Sequence, residues 1–257
     1  MKYYMVDAFT QEVFKGNPAG VCIVEEPLSD IQMQAIAKEN NLSETAFVSR
    51  CGGKYFLRWF TPAFEIDLCG HATLATAYVI FNYVQPELQE ISFETMSGVL
   101  TVVKQEEQYE MSFPKRLPKA ITISSEIVEN VGVEPVEVYA DRDLYILLKD
   151  EQSVKDYVPD YEKLRKLKQW LGLVVTAPGE NSDFVSRYFC TELFLEDPVT
   201  GSTHSSLIPL WSEKQGKNRL LAQQLSERGG ILYCEMGEEC VKITGNAVLY
   251  LKGEIWG

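Results

Sequence analysis

One pattern occurs twice in this chain, and a chain assembled from two copies of a unit has few architectures open to it. Arg58-Trp-Phe60 in the first half is answered by Arg187-Tyr-Phe189 in the second, 129 positions on. Each triplet leads into a stretch that runs from an aspartate to a histidine, Asp67-Leu-Cys69-Gly70-His71 and then Asp197-Pro-Val-Thr-Gly201-Ser202-Thr203-His204. The chain holds only 2 histidines, and these are both of them, 133 positions apart. The pairing predicts two polar elements of one design, one from each half, facing a single cleft. At 257 residues the chain is long enough for two ordinary domains.

The order of elements supports that division. Asn17-Pro18-Ala-Gly20 is a turn signal and Val21 to Val24 reads as a buried strand. Ser29 and Gln32 have capping-box spacing for a helix through Ile36 and Ala37 that stops near Asn40-Asn41. Strands follow at Thr45 to Val48 and Tyr55 to Phe60. The run from His71 to Tyr83 is apolar on every side, which predicts a helix buried on every side. Further strands at residues 91–94, 99–103 and 109–113 are joined by tight turns. Pro114-Lys-Arg-Leu-Pro118 is the linker candidate, because a proline at each end stops regular structure. The series then restarts, with strands near 136–139 and 144–148, a helix near 161–171, strands near 173–176 and 187–189, and a helix from Ser205 to Lys214. Pro209 falls inside that last helix and is costly there beyond the first turns. The expected fold class is therefore α+β, with two similar domains at 1–116 and 117–257, each a mostly antiparallel sheet curled around a central helix.

Charge narrows the partners. A net charge of −13 and a pI near 4.7 repel nucleic acid and anionic membrane surfaces alike. The run Lys163-Leu-Arg165-Lys166-Leu-Lys168 reads as the solvated face of a helix. Met1 to Asp7 lacks the apolar core of a secretion signal, and no apolar stretch has membrane-spanning length, so a cytoplasmic setting is expected. The cysteines, at 22, 51, 69, 190, 234 and 240, have no C-x-x-C spacing, which predicts reduced thiols and no metal site.

Each Asp-to-His element precedes a helix, and a helix start presents free N–H groups and partial positive charge. Two such starts converging on one cleft would receive a small carboxylate without lysine or arginine. Gly70 and Ala72 in one start, and Gly201 and Thr203 in the other, are the substrate-binding candidates, although plain turn geometry explains either glycine taken alone. Glu44, His71, Asp197 and Ser202 are the candidates for proton chemistry. On pattern alone Glu44 also reads as a surface glutamate closing a helix, and Asp67 and Asp197 as caps or turn residues. Cys69 opens a rival route, a two-thiol epimerase. By the histidine offset its counterpart is Ser202, and an unaided serine is too weak a base for that role. A metabolite-binding protein without catalysis is the third reading.

These residues fall in pieces that strongly resemble the PhzF-like family, the phenazine-biosynthesis isomerase group within the diaminopimelate epimerase-like fold. The pieces are Val6-Asp7-Ala-Phe9, Phe14-x-Gly16-Asn17-Pro18-Ala-Gly20-Val21, Leu42-Ser43-Glu44-Thr45-Ala46-Phe47, Arg58-x-Phe60-Thr61-Pro62, Asp67-x-Cys69-Gly70-His71-Ala72-Thr73, Glu196-Asp197-Pro198-Val199-Thr200-Gly201-Ser202 with His204, and Gln224-x-Ser226-x-Arg228-Gly229-Gly230. The resemblance implies a homodimer and catalysis with no metal or organic cofactor. It implies that Glu44 moves a proton between carbons of a small carboxylate, as in the isomerisation of a dihydro-hydroxyanthranilate, helped by His71, Asp197 and Ser202. One segment departs from the family pattern. Where Arg-x-Phe-Ala-Pro is usual in the second half, this chain has Arg187-Tyr-Phe189-Cys190-Thr191 followed by Glu192-Leu-Phe194, which points to a different substrate.

Overall fold

A computed structural model describes residues 1–191 and 194–256. The chain divides into two compact units, residues 1–113 with 242–257, and residues 114–241. The expected second domain, 117–257, therefore differs from the structure at its end, because the last sixteen residues return to the first unit.

In the first unit the strands are β1 (Lys2–Ala8), β2 (Asn17–Val24), β3 (Glu44–Cys51), β4 (Lys54–Phe60), β5 (Glu65–Ile66), β6 (Glu90–Thr95), β7 (Gly98–Gln105) and β8 (Gln108–Pro114). Helix α1 (Asp30–Asn40) connects β2 to β3, which pair parallel, and helix α2 (Gly70–Val79) lies between β4 and β6, which also pair parallel. The pairs β1–β2, β3–β4, β6–β7 and β7–β8 are antiparallel. The capping box is present: Ser29 Oγ accepts from the Gln32 amide at 3.3 Å and Gln32 Oε1 accepts from the Ser29 amide at 3.0 Å. Asn41 closes the helix in the left-handed region at φ 48°, a conformation asparagine tolerates better than most residues.

Helix α2 is the unit's axis. Apart from Tyr78, all of its residues are buried, packed against β1, β2 and β3. Its two threonines are accommodated by bonds to carbonyls one turn back, Thr73 Oγ1 to Cys69 at 2.5 Å and Thr76 Oγ1 to Ala72 at 2.7 Å. The expected helix through Tyr83 ends sooner as an α-helix. From Ile80 to Val84 the chain widens into one π-helical turn, with the Gln85 amide bonded to the Ile80 carbonyl at 2.8 Å.

The second unit repeats the plan. After a short β9 (Lys119–Ala120) come α3 (Ser125–Val131), β10 (Glu137–Ala140), β11 (Leu144–Leu147), α4 (Glu151–Asp156), α5 (Tyr161–Leu164), β12 (Gly172–Pro178), β13 (Phe184–Cys190), β14 (Leu195–Asp197), α6 (Gly201–Gln215), β15 (Arg219–Gln224) and β16 (Gly230–Met236). The pairs β10–β11, β12–β13 and β15–β16 are antiparallel, whereas β11–β12 and β13–β15 are parallel. This is the alternation of β1 to β7, strand for strand. Strand β17 (Cys240–Gly245) then leads to β18 (Ala247–Glu254), which pairs antiparallel with β1.

Two helix expectations change in this unit. The helix near 161–171 is confined to Tyr161–Leu164, and α6 begins at Gly201 rather than Ser205. The earlier start leaves Pro209 in the third turn, where its missing N–H frees the Ser205 carbonyl. The Arg116 amide fills the gap at 3.1 Å. The freed acceptor thus keeps a partner, which removes the usual penalty of an orphaned buried carbonyl.

Candidate active site

The first unit gathers its chemistry at the start of α2. Cys69 is the N-cap and Gly70, His71 and Ala72 form the first turn, all buried. Glu44 is the first residue of β3, in register with Ala19 of β2, and its carboxyl Oε2 lies 3.0 Å from His71 Nε2. Oε2 is buried and makes no hydrogen bond among the described residues besides this ionic contact. Glu44 retains 16 % side-chain exposure against 5 % for His71.

The other face of the imidazole is set by Asn17, whose Nδ2 stands 3.1 Å from His71 Nδ1. A protonated ring carries hydrogens on both nitrogens, so Nδ1 donates to the Asn17 side-chain amide through its oxygen, the two ends of that amide being interchangeable, while Nε2 faces Glu44. Burial works against charge on His71, but the negative partners Cys69 and Glu44 outweigh it and hold its pKa well above the usual imidazole range. Cys69 itself stays a thiol at neutral pH. Burial, reinforced by the Glu44 charge, pushes it up to about 11, against smaller opposing effects of His71 and the Ala72 amide. Beside a neutral Cys69 thiol, Glu44 is the negative partner left to His71. Oxygen, sulfur and nitrogen from Glu44, Cys69 and His71 lie within 4.8 Å of one another, a donor set that zinc accepts in other proteins.

The second unit builds its counterpart at the start of α6. Asp197 ends β14, and its Oδ2 accepts from Thr200 Oγ1 at 2.5 Å. Fully buried Gln224 clasps the intervening loop, donating to the Asp197 carbonyl at 2.7 Å and accepting from the Thr200 amide at 2.9 Å. Ser202 Oγ lies 3.1 Å from Arg142 Nη2. Thr203 turns its hydroxyl inward to Asp143 and Tyr145, each at 3.4 Å. Helices α1, α3, α4 and α5 all have a side-chain oxygen bonded to a first-turn amide, whereas α2 and α6 have none. The two starts singled out from the sequence are thus the two without a side-chain cap.

The internal repeat holds, but in a different register from the one drawn through the histidines. Arg58 binds Glu65 through Nε at 2.6 Å and Nη2 at 2.7 Å, and Arg187 binds Glu196 through Nε at 2.7 Å and Nη2 at 2.9 Å. With Glu65 matched to Glu196 and Gly70 to Gly201, His71 falls on Ser202, Cys69 on Thr200 and Thr73 on His204. The bonding agrees. His204 Nδ1 donates to the Thr200 carbonyl at 2.8 Å, as Thr73 does to Cys69. His204 is completely buried, and burial lowers its pKa to about 4, so it is a neutral core residue rather than a twin of His71.

Sequence reasoning missed Asn17, Arg142, Asp143 and the clasp by Gln224. Asn17 had passed for a turn residue, and Asp141-Arg-Asp143 resembles any charged surface turn. In the departing segment, Glu192 and Leu193 lie outside the described residues.

Comparison with known proteins places this arrangement. A family model described as phenazine biosynthesis-like protein, PhzC-PhzF, matches residues 6–253. An uncharacterized isomerase of Pseudomonas aeruginosa is 44 % identical over 257 residues, covering 99 % of this chain and 98 % of its own. A crystal structure of a PhzF-family phenazine biosynthesis protein from Enterococcus faecalis superposes with a TM-score of 0.96 at 50 % identity, over 99 % of this chain and 98 % of that one. A hydroxyproline epimerase from Agrobacterium vitis, 11 % identical, shares the fold alone, with a TM-score of 0.68 over 98 % and 91 % of the two chains.

Proposed function

The chain belongs to the phenazine biosynthesis-like PhzC-PhzF family and is an isomerase, and from that premise we propose that it relocates a proton within a small carboxylate-bearing metabolite, with Glu44 as the proton carrier and no metal or organic cofactor. The observation that carries this reading is the contact between Glu44 and His71, 3.0 Å apart inside an apolar unit. Glu44 as carboxylate takes a proton from a substrate carbon. The electron pair left behind moves through the adjoining unsaturation, and the same carboxyl returns its proton to another carbon, so the substrate gains and loses nothing overall. His71 stands beside that carboxyl at 3.0 Å throughout.

A substrate carboxylate is assigned to an uncapped helix start: the amides of Gly70 and Ala72 are the candidates in the first unit and those of Gly201 and Thr203 in the second, supported by the partial positive charge of each start. Asp197 and Ser202 are assigned as assisting groups on the strength of the family motif and of Ser202 matching His71 in the repeat. A homodimer and a cytoplasmic setting belong to the same proposal, supported by the resemblance and by charge; no helix among the described residues is long and apolar enough to cross a membrane.

The test is proton exchange. A panel of small amino and hydroxy acids, headed by dihydro-hydroxyanthranilate, is first screened by thermal shift, since a ligand bound only to the native state raises its melting temperature. Stabilising acids are then incubated in heavy water. The proposal expects deuterium at a substrate carbon with wild-type enzyme and none with Glu44→Gln. Undiminished labelling by that variant would remove Glu44 from the mechanism.

A further inference from the structure

Ser202 is held from behind. Arg142 Nη2 lies 3.1 Å from Ser202 Oγ and 2.9 Å from Asp143 Oδ2, and Arg142 Nε reaches the same carboxyl oxygen at 3.3 Å. A guanidinium has no acceptor, so the serine oxygen must accept, and the hydroxyl's own proton is left to be donated elsewhere. Asp143 is fully buried, and Tyr188 donates to its Oδ1 at 3.2 Å while Thr203 approaches Oδ2 at 3.4 Å. The guanidinium is thereby fixed by a carboxylate that itself has no freedom to move.

The first unit contains the same device. There Asn17, at the start of β2, reaches the second residue of α2, His71. Here Arg142, just ahead of β11, reaches the second residue of α6, Ser202. Two unrelated side chains, Asn17 opening β2 and Arg142 in the turn into β11, thus touch the same helix position, although strand register matches Asn17 to Asp141 and not to Arg142. We infer that Arg142, anchored by Asp143, is a positioning residue that orients and polarises the Ser202 hydroxyl as a hydrogen-bond donor to the substrate. A hydroxyl accepting from a cation is a stronger donor than a free one, and its fixed geometry suits an anion that gains charge as the proton leaves carbon. The inference rests on the proposed role of Ser202.

The experiment compares Arg142→Met, Arg142→Lys, Ser202→Ala and the double variant Arg142→Met with Ser202→Ala. Kinetics are read as deuterium exchange into dihydro-hydroxyanthranilate or, where the wild type does not exchange that acid, into the panel member it does. A ligand-free crystal structure of Arg142→Met accompanies them. Arg142→Met is expected to lower kcat about 100-fold with KM within about threefold, Arg142→Lys to recover part of that loss, and the double variant to match Ser202→Ala alone. The crystal structure should show Ser202 Oγ in another rotamer. An unmoved Oγ, multiplying losses in the double variant, or a rise in KM alone would overturn the inference. Full activity in Ser202→Ala would instead overturn the assignment of Ser202, and the inference with it, and is recognised because that variant contains Arg142 intact. Since Arg142→Met strands a buried carboxylate, the paired change Arg142→Met with Asp143→Asn replaces it if the single variant does not fold.

Discussion

His204 gives the structure a measurable acid weakness. Its ring is fully buried beside Phe184, at 5.9 Å between centroids, and its one hydrogen bond is the donation from Nδ1 to Thr200. Nε2 is buried without a hydrogen-bond partner, so a second proton would be placed where nothing receives it. Burial accordingly lowers the pKa from 6.5 to about 4. A depressed histidine favours folding in the neutral form. Its contribution is complete above the unfolded value of 6.5, declines as pH falls below that, and levels off only beneath the folded value of about 4. At pH 5 the unfolded chain binds this proton and the folded chain does not, which lowers stability by about 2 kcal/mol relative to pH 7.5. Carboxylates also titrate in this range, so the comparison is made against His204→Gln, which cannot protonate. Urea unfolding of both proteins at pH 7.5 and 5.0 should show the wild type losing about 2 kcal/mol more than the variant, or about 0.7 M in midpoint for a slope near 3 kcal/mol/M. Proton NMR provides the independent check, since a chain with 2 histidines gives only two imidazole titration curves. Equal acid losses in the two proteins, or two histidines both titrating near 6.5, would refute the placement of His204.

The remaining predictions concern the other charged groups. Glu44→Gln removes one of the two negative partners, Cys69 and Glu44, that raise His71 against its burial, so the titration of His71 should move down from its raised position. The stability that His71 protonation supplies in the wild type, present below 6.5 and lost as pH rises through the raised folded value, should shrink with it, and an unchanged NMR titration would contradict the pairing. Arg187→Ala should cost about 3 kcal/mol in urea unfolding, because it strands Glu196 and the carbonyls of Val154, Lys155 and Tyr157, whereas Arg58→Ala, whose second partner Asp30 is largely exposed, should cost about 1 kcal/mol; equal losses would count against the difference in burial. Cys69→Ala should retain most deuterium exchange and alkylating agents should act slowly, since the thiol is buried with its pKa near 11 and the repeat places Thr200 where a two-thiol epimerase needs a second sulfur; loss of exchange on a par with Glu44→Gln would restore that rival.

How far the sequence could be read depended on whether a residue's meaning lay in its neighbours along the chain or across it. The capping box at Ser29, the wholly buried α2 and the two-copy plan all follow from local spacing and apolar periodicity, and the structure has each of them. Register did not follow, because the two histidines drew the alignment toward the rarest residue type. Counted from the twin Arg–Glu pairs and the two helix starts, each half has a different group at the second helix position, an imidazole in one and a hydroxyl in the other. That asymmetry carries chemical weight. A symmetric pair of bases would suit proton delivery to opposite faces of one carbon, as in an epimerase, whereas one carboxylate base with a cationic neighbour and one polarised hydroxyl suits withdrawal and return by a single group. The supports of those two side chains, Asn17 and Arg142, were invisible for the same reason that they work: each acts through a contact across 54 and 60 positions of sequence, from turns whose composition is ordinary. A duplicated fold can therefore preserve two helix starts while the side chain at the second helix position, and the residue from the turn or strand end that touches it, differ between the copies.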